Sequence, residues 1–93
     1  MARENVSNGS RGKDAFDAQR ALNKFHIQSL MGNGPGLSRA PLREDSIFGS
    51  DSTAALNGFK DAVGLPTDGT ADNDTWSELE KFVPEDIAAQ DAL

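Results

Sequence analysis

Apolar side chains return every three or four positions in three stretches of this chain, and clusters of Gly, Pro, Asp and Ser separate them. In the first, Ala15, Ala18, Leu22, Phe25 and Ser29 share one seam with Ala21 beside it, which predicts a helix from about Asp14 to about Leu30. Asp14 and Asp17 near its start suit the positive end of the helix dipole. In the second, Ala55, Leu56, Phe59, Ala62 and Val63 form a one-sided stripe after a start at Asp51. Gly64 supplies a left-handed residue to end that helix, and Pro66 prevents its resumption. The third stripe is shorter, with Trp76, Leu79, Phe82 and Val83 closed by Pro84. The pattern predicts an all-α fold, a small three-helix bundle whose core holds Leu22, Phe25, Leu56, Phe59, Leu65, Trp76 and Leu79.

The second and third helices are entered through turns that nearly repeat. With a shift of 23 residues, Asp45 falls on Asp68, Gly49 on Asp72, Asp51 on Asp74, Ser52 on Thr75 and Leu56 on Leu79. Each copy reads as a tight turn feeding a helix, with Gly, Asp or Ser serving the open N–H groups and a carboxylate in the first turn. Asp72 is the expected N-cap of the third helix.

Three segments lie outside these stripes. Residues 1–13 are polar and carry Gly9, Ser10 and Gly12, so they read as a flexible N-terminal arm, either a plain tail or a docking element. Within 31–44, Met31-Gly-Asn-Gly-Pro-Gly36 cannot continue a helix. This stretch reads as an inserted loop that Leu37, Pro41 and Leu42 fold back onto the core, with Arg39 and Arg43 exposed. Residues 84–93 form a C-terminal extension, where Pro84, Glu85 and Asp86 could open a short terminal helix carrying Ile87, Ala88, Ala89 and Leu93.

The central stretch resembles the small three-helix peptidoglycan-binding domain family over about residues 14–83. Phe48-Gly49, Phe59, Gly64-Leu65-Pro66, Asp68-Gly69 and Thr75-Trp76-x-x-Leu79 match that family's pattern in order and spacing, and Ala18-Gln19-Arg20-Ala21-Leu22-Asn23 is similar to its first helix. Ser46, Ser52, Lys60 and Asp72 stand where the family pattern has Gly, Thr, Gln and Gly. The resemblance implies a rigid helical scaffold with Trp76 in its core and a surface that reads cell-wall peptidoglycan.

Composition narrows the alternatives. The 93 residues amount to one domain with a modest stability margin. There is no Cys, which excludes disulfides, thiolate metal sites and a thiol nucleophile. Nine Lys and Arg stand against 15 Asp and Glu, for a net charge of −6, and residues 61–93 alone hold nine carboxylates against Lys81. So acidic a chain is repelled by phosphate backbones and anionic bilayers, so neither nucleic acid nor membrane insertion is expected. No run approaches the roughly 18 apolar residues of a spanning helix. Val6 stands alone in a polar N-terminus, so no secretory signal is read there, and delivery to a wall would need another route from the cytoplasm.

Candidate reactive groups reduce to structural ones. His26 is the one histidine and has neither a second imidazole nor a carboxylate at the spacing a site needs. Asp68 to Asp74 alternates oxygen ligands, but Asn73 and Leu79 occupy the Gly and Glu positions of a calcium loop. No cofactor, metal or catalytic residue is expected, and the expectation is a non-enzyme. The leading functional expectation is a non-catalytic module that recognises peptidoglycan, with Gln19, Asn23, Asp45, Phe48 and Gly49 as candidate ligand contacts. The alternative is a structural or assembly protein that uses the same fold for protein–protein contacts, as in a phage virion, through its arm, insertion and acidic end.

Overall fold

The order of elements follows the stripes. A computed structural model describes residues 3–83, so the expected C-terminal helix falls outside the described residues. Helix α1 spans Lys13–Met31, α2 spans Ser50–Ala62 and α3 spans Asn73–Leu79, running directly into a 3-10 turn at Glu80–Phe82. The described residues contain no strand and only two isolated antiparallel bridges, Val6 with Ala71 and Arg11 with Ile47.

The helix ends obey the local chemistry. Gly12 turns the chain into α1 at φ 108, a conformation that a side chain would strain. Helix α2 is capped by Val63, and Gly64 at φ 80 lets the Leu65 N–H return to the Lys60 carbonyl at 2.8 Å, which stops the helix where the Gly-Leu-Pro sequence predicts. At α3 the Asp72 carboxylate accepts the Thr75 backbone N–H at 3.1 Å and the Thr75 hydroxyl at 2.9 Å. These bonds hold its pKa below the usual aspartate range.

The three stripes meet in one core. Ala15, Ala18, Ala21 and Leu22 of α1 pack with Leu56 and Phe59 of α2 and with Trp76 and Leu79 of α3, all buried. Phe48 is wholly buried among them. Phe25 and Leu65 are only half-buried. Phe25 instead seals one end of the bundle edge-on, with ring centroids 4.9 Å from Phe59 and 5.3 Å from Phe82. Edge-to-face pairs of this kind add about 0.5–1.5 kcal/mol each beyond the area they bury. Ala62, on the last turn of α2, is exposed.

Residues 3–12 depart from the flexible arm read from the sequence, because they lie along the domain as an extended strap. Val6 is 1% exposed and exchanges both backbone hydrogen bonds with Ala71, at 3.1 and 2.7 Å. Further along, the Gly9 N–H donates to the Phe48 carbonyl at 2.7 Å and Phe48 N–H returns to Ser10 at 2.8 Å. At the near end Arg3 lies over the Trp76 ring at 4.6 Å and pairs with Asp14, Asp17 and Glu80. Burial lowers the Arg3 pKa, but its bonds to Glu80, Asp17 and Asp14 outweigh that and raise it. One buried valine and paired backbone leave no periodic trace in the sequence, so the strap reads as a tail until its partners are seen.

Candidate ligand-binding groove

The groove is built outward from Gln19. Its position on α1 puts the amide under the turn that leads into α2, where Nε2 donates to the Asp45 carboxylate at 3.1 Å, the Ile47 carbonyl at 2.9 Å and the Ser52 hydroxyl at 3.1 Å. Its Oε1 accepts the Ser46 N–H at 3.0 Å. Ser46 takes φ 68, which explains the glycine that the family pattern has there, and the Gly12 N–H donates to its carbonyl at 3.0 Å from the strap side. The turn is therefore clamped from both sides. The Asp45 carboxylate also accepts the Ile47 N–H at 3.0 Å, and these bonds keep its pKa below the usual range, so it is anionic at neutral pH.

The inserted loop is anchored by the next turns of α1. Asn23 brackets Leu42, accepting its N–H at 2.6 Å and donating to its carbonyl at 2.9 Å and to Glu44 at 2.8 Å. His26 Nδ1 accepts the Leu37 N–H at 2.8 Å, which accounts for the lone imidazole structurally. Gly36 lies against that ring at φ 71, where a Cβ would come within 2.5 Å of Nδ1. Leu37 and Leu42 are each 7% exposed, so the loop folds back onto the core.

Between this loop and the start of α2 lies an open groove of about 830 Å³, floored by Gln19 and walled by Pro41, Arg43, Asp45, Ile47, Ser50 and Asp51. Gln19, Asp45 and Gly49, three of the residues proposed from the sequence, line it together. Phe48 has no exposed surface to offer a ligand, and Asn23 lines a separate depression on α1 with Lys24, Ile27 and Met31. Gln19 and Asn23 are buried, and their amides are spent on the turn and the loop. A polar face on a helix does not reveal whether a loop will cover it, so the sequence could not separate these two from surface residues. Arg43, Ser50 and Asp51 also line the groove and were not among the residues read from the sequence, although the exposed charge of Arg43 was one available signal. Arg43 makes no hydrogen bond with the described residues, and Asp51 meets only Arg39, at 3.2 Å across an exposed pair.

The second turn copies the first with a different donor. Lys60, 1% exposed on α2, donates to the Asp68 carboxylate and to the Thr70 carbonyl at 2.6 Å, while the Thr70 N–H donates to Asp68 at 3.1 Å. The Lys60 bond, followed by that N–H, holds the Asp68 pKa below the usual range. Asp68 is thus part of a turn bracket, and the described residues contain no cluster of three His, Cys, Asp or Glu placed to hold a metal. No helix among them is long and apolar enough to cross a membrane.

The comparisons agree with this architecture. The chain is similar in structure to the SleB N-terminal domain, with a TM-score of 0.66 and 26% identity over 90% of this chain and 99% of that one. It is also similar to a Burkholderia AP3 phage endolysin, with a TM-score of 0.63 and 32% identity over 84% of this chain, which spans only 25% of the endolysin. No curated protein matches the chain. Residues 11–79, from the strap's end through α3, match the family described as "Putative peptidoglycan binding domain", and the chain is a member of that family.

Proposed function

We propose that this domain is a non-catalytic module that holds to peptidoglycan through the groove beside the Asp45–Gly49 turn. The observation that carries the reading is the division of labour there. Gln19 and the strap lock the turn's backbone, while Arg43, Ser50 and Asp51 stand exposed at the rim, where Arg43 makes no hydrogen bond with the described residues and Asp51 has only an exposed pair with Arg39. A rigid turn with free polar side chains suits weak, reversible binding of a polymer. Linked to another domain, such a module raises that domain's local concentration at the wall.

The competing assembly role drew on the arm, the insertion and the acidic C-terminal segment as docking elements, the last of which lies mostly outside the described residues. Residues 3–12 and the 37–44 segment make hydrogen bonds that hold the domain together, which removes much of that support. Co-sedimentation with purified sacculi tests the proposal. Saturable retention at moderate salt is expected, and a protein left wholly in the supernatant overturns it.

A further inference from the structure

Three exposed side chains that line the groove, Arg43, Asp45 and Asp51, are charged, and charge separates the two chemistries that a peptidoglycan offers. We infer that the groove takes the charged stem peptide of the polymer and not the face of its sugars, an inference that rests on the wall-binding reading above. Pyranose rings are gripped by an exposed aromatic plane against their C–H face, with amides that both donate to and accept from their hydroxyls. None of the residues lining the groove is aromatic, and Phe48 behind it is wholly buried. The one amide present, Gln19, is 1% exposed and already bonded through both its oxygen and its nitrogen.

What remains suits ions. Gln19 and the Ile47 N–H both bond to Oδ1 of Asp45, an exposed carboxylate that lines the groove. Asp51 also lines the groove and accepts one bond among the described residues, from Arg39, with the two side chains 65% and 66% exposed. An exposed pair of this kind contributes little and exchanges readily for another cation. Arg43 supplies the opposite charge, exposed and without a hydrogen bond to the described residues, and near enough to Asp45 to help hold that carboxylate ionised. Two carboxylates and a guanidinium within one groove match a peptide that carries both a primary amine, on its diamino residue, and free carboxylates. Ile47, 45% exposed, and Pro41 give the intervening alanine methyls an apolar strip. Sugar hydroxyls can bond to these groups but bring no opposite charge to pair with them.

The test compares retention of the protein on immobilised intact peptidoglycan, on immobilised glycan strands stripped of peptide by an amidase, and on intact material whose amines have been acetylated. Retention on intact material is expected to fall at least tenfold on stripped strands and severalfold after acetylation. Soluble stem tripeptide should compete, and added salt should weaken binding because exposed charges are screened. Arg43→Ala should weaken retention on intact material with little change in the melting curve, since its exposed guanidinium makes no hydrogen bond with the described residues. Equal retention on stripped and intact material overturns the stem-peptide assignment and leaves wall binding standing. No retention on any of the three overturns both.

Discussion

The ammonium of Lys60, buried on α2, is bonded to the half-exposed carboxylate of Asp68 in the turn that feeds α3. Gln19 on α1 stands in the same relation to Asp45 in the turn that feeds α2. In each bracket one helix side chain donates to an aspartate and to the carbonyl two residues later, and that later residue's N–H donates back to the same aspartate. The internal repeat is therefore a repeated hydrogen-bond device, and an amide or an ammonium can operate it.

Lys60→Gln should be tolerated, because Gln19 shows that an amide fills this role. Lys60→Ala should cost roughly 2–4 kcal/mol, from the lost buried stem and the unsatisfied Thr70 carbonyl. Urea denaturation of the two variants checks the ordering, and equal midpoints would remove the bracket's role in stability.

Arg3→Ala should destabilise by about 3 kcal/mol, because Asp17 is 1% exposed, its Oδ1 has no hydrogen-bond partner, and Arg3 is the cation that meets its other oxygen. Adding Asp17→Asn to Arg3→Ala should restore part of the loss by removing the stranded charge. Thermal melts of both variants report this, and a neutral Arg3→Ala would mean that the strap does not hold in solution.

Trp76→Ala should cost about 3–5 kcal/mol, since the indole is 3% exposed. Trp76→Phe keeps most of the packing but loses the Nε1–H bond to the Glu4 carbonyl at 3.1 Å, so a loss of about 1 kcal/mol is expected. Chemical denaturation measures the difference between the two.

Acid should unfold the domain through its turns. Asp45, Asp68 and Asp72 all lie below the ordinary aspartate value of 3.8 when folded, so the unfolded chain takes up their protons first. The stability they contribute is complete well above 3.8 and is lost as pH falls through the lower folded values. Melting temperature should be flat from neutral pH to about 5 and fall below about 4. In Asp68→Asn the melting temperature at neutral pH should be lower and the acid decline shallower.

Much of the fold was legible because helices write their contacts into short-range spacing. Leu22, Leu56, Phe59 and Leu79 sit at the three-and-four intervals that place them on one face, and each is fully buried. Phe25 obeys the same spacing yet is only half-buried, packed against the core from its edge with its ring edge-on to Phe59 and Phe82. The groove was less legible, since its walls come from a turn and a loop that are tied to α1 by bonds between residues 27 and 19 positions apart.

The chain's own pattern determined the three helices, their caps and the repeated turns, since each depends on residues within a few positions of one another and on backbone preferences that local chemistry sets. Tertiary structure alone decided that Val6 and Arg3 belong to the domain, that Gln19 and Asn23 face inward, and that Arg43 and Asp51 share a groove. Those outcomes rest on which distant backbone groups find a partner when the core closes, and no local spacing encodes that choice.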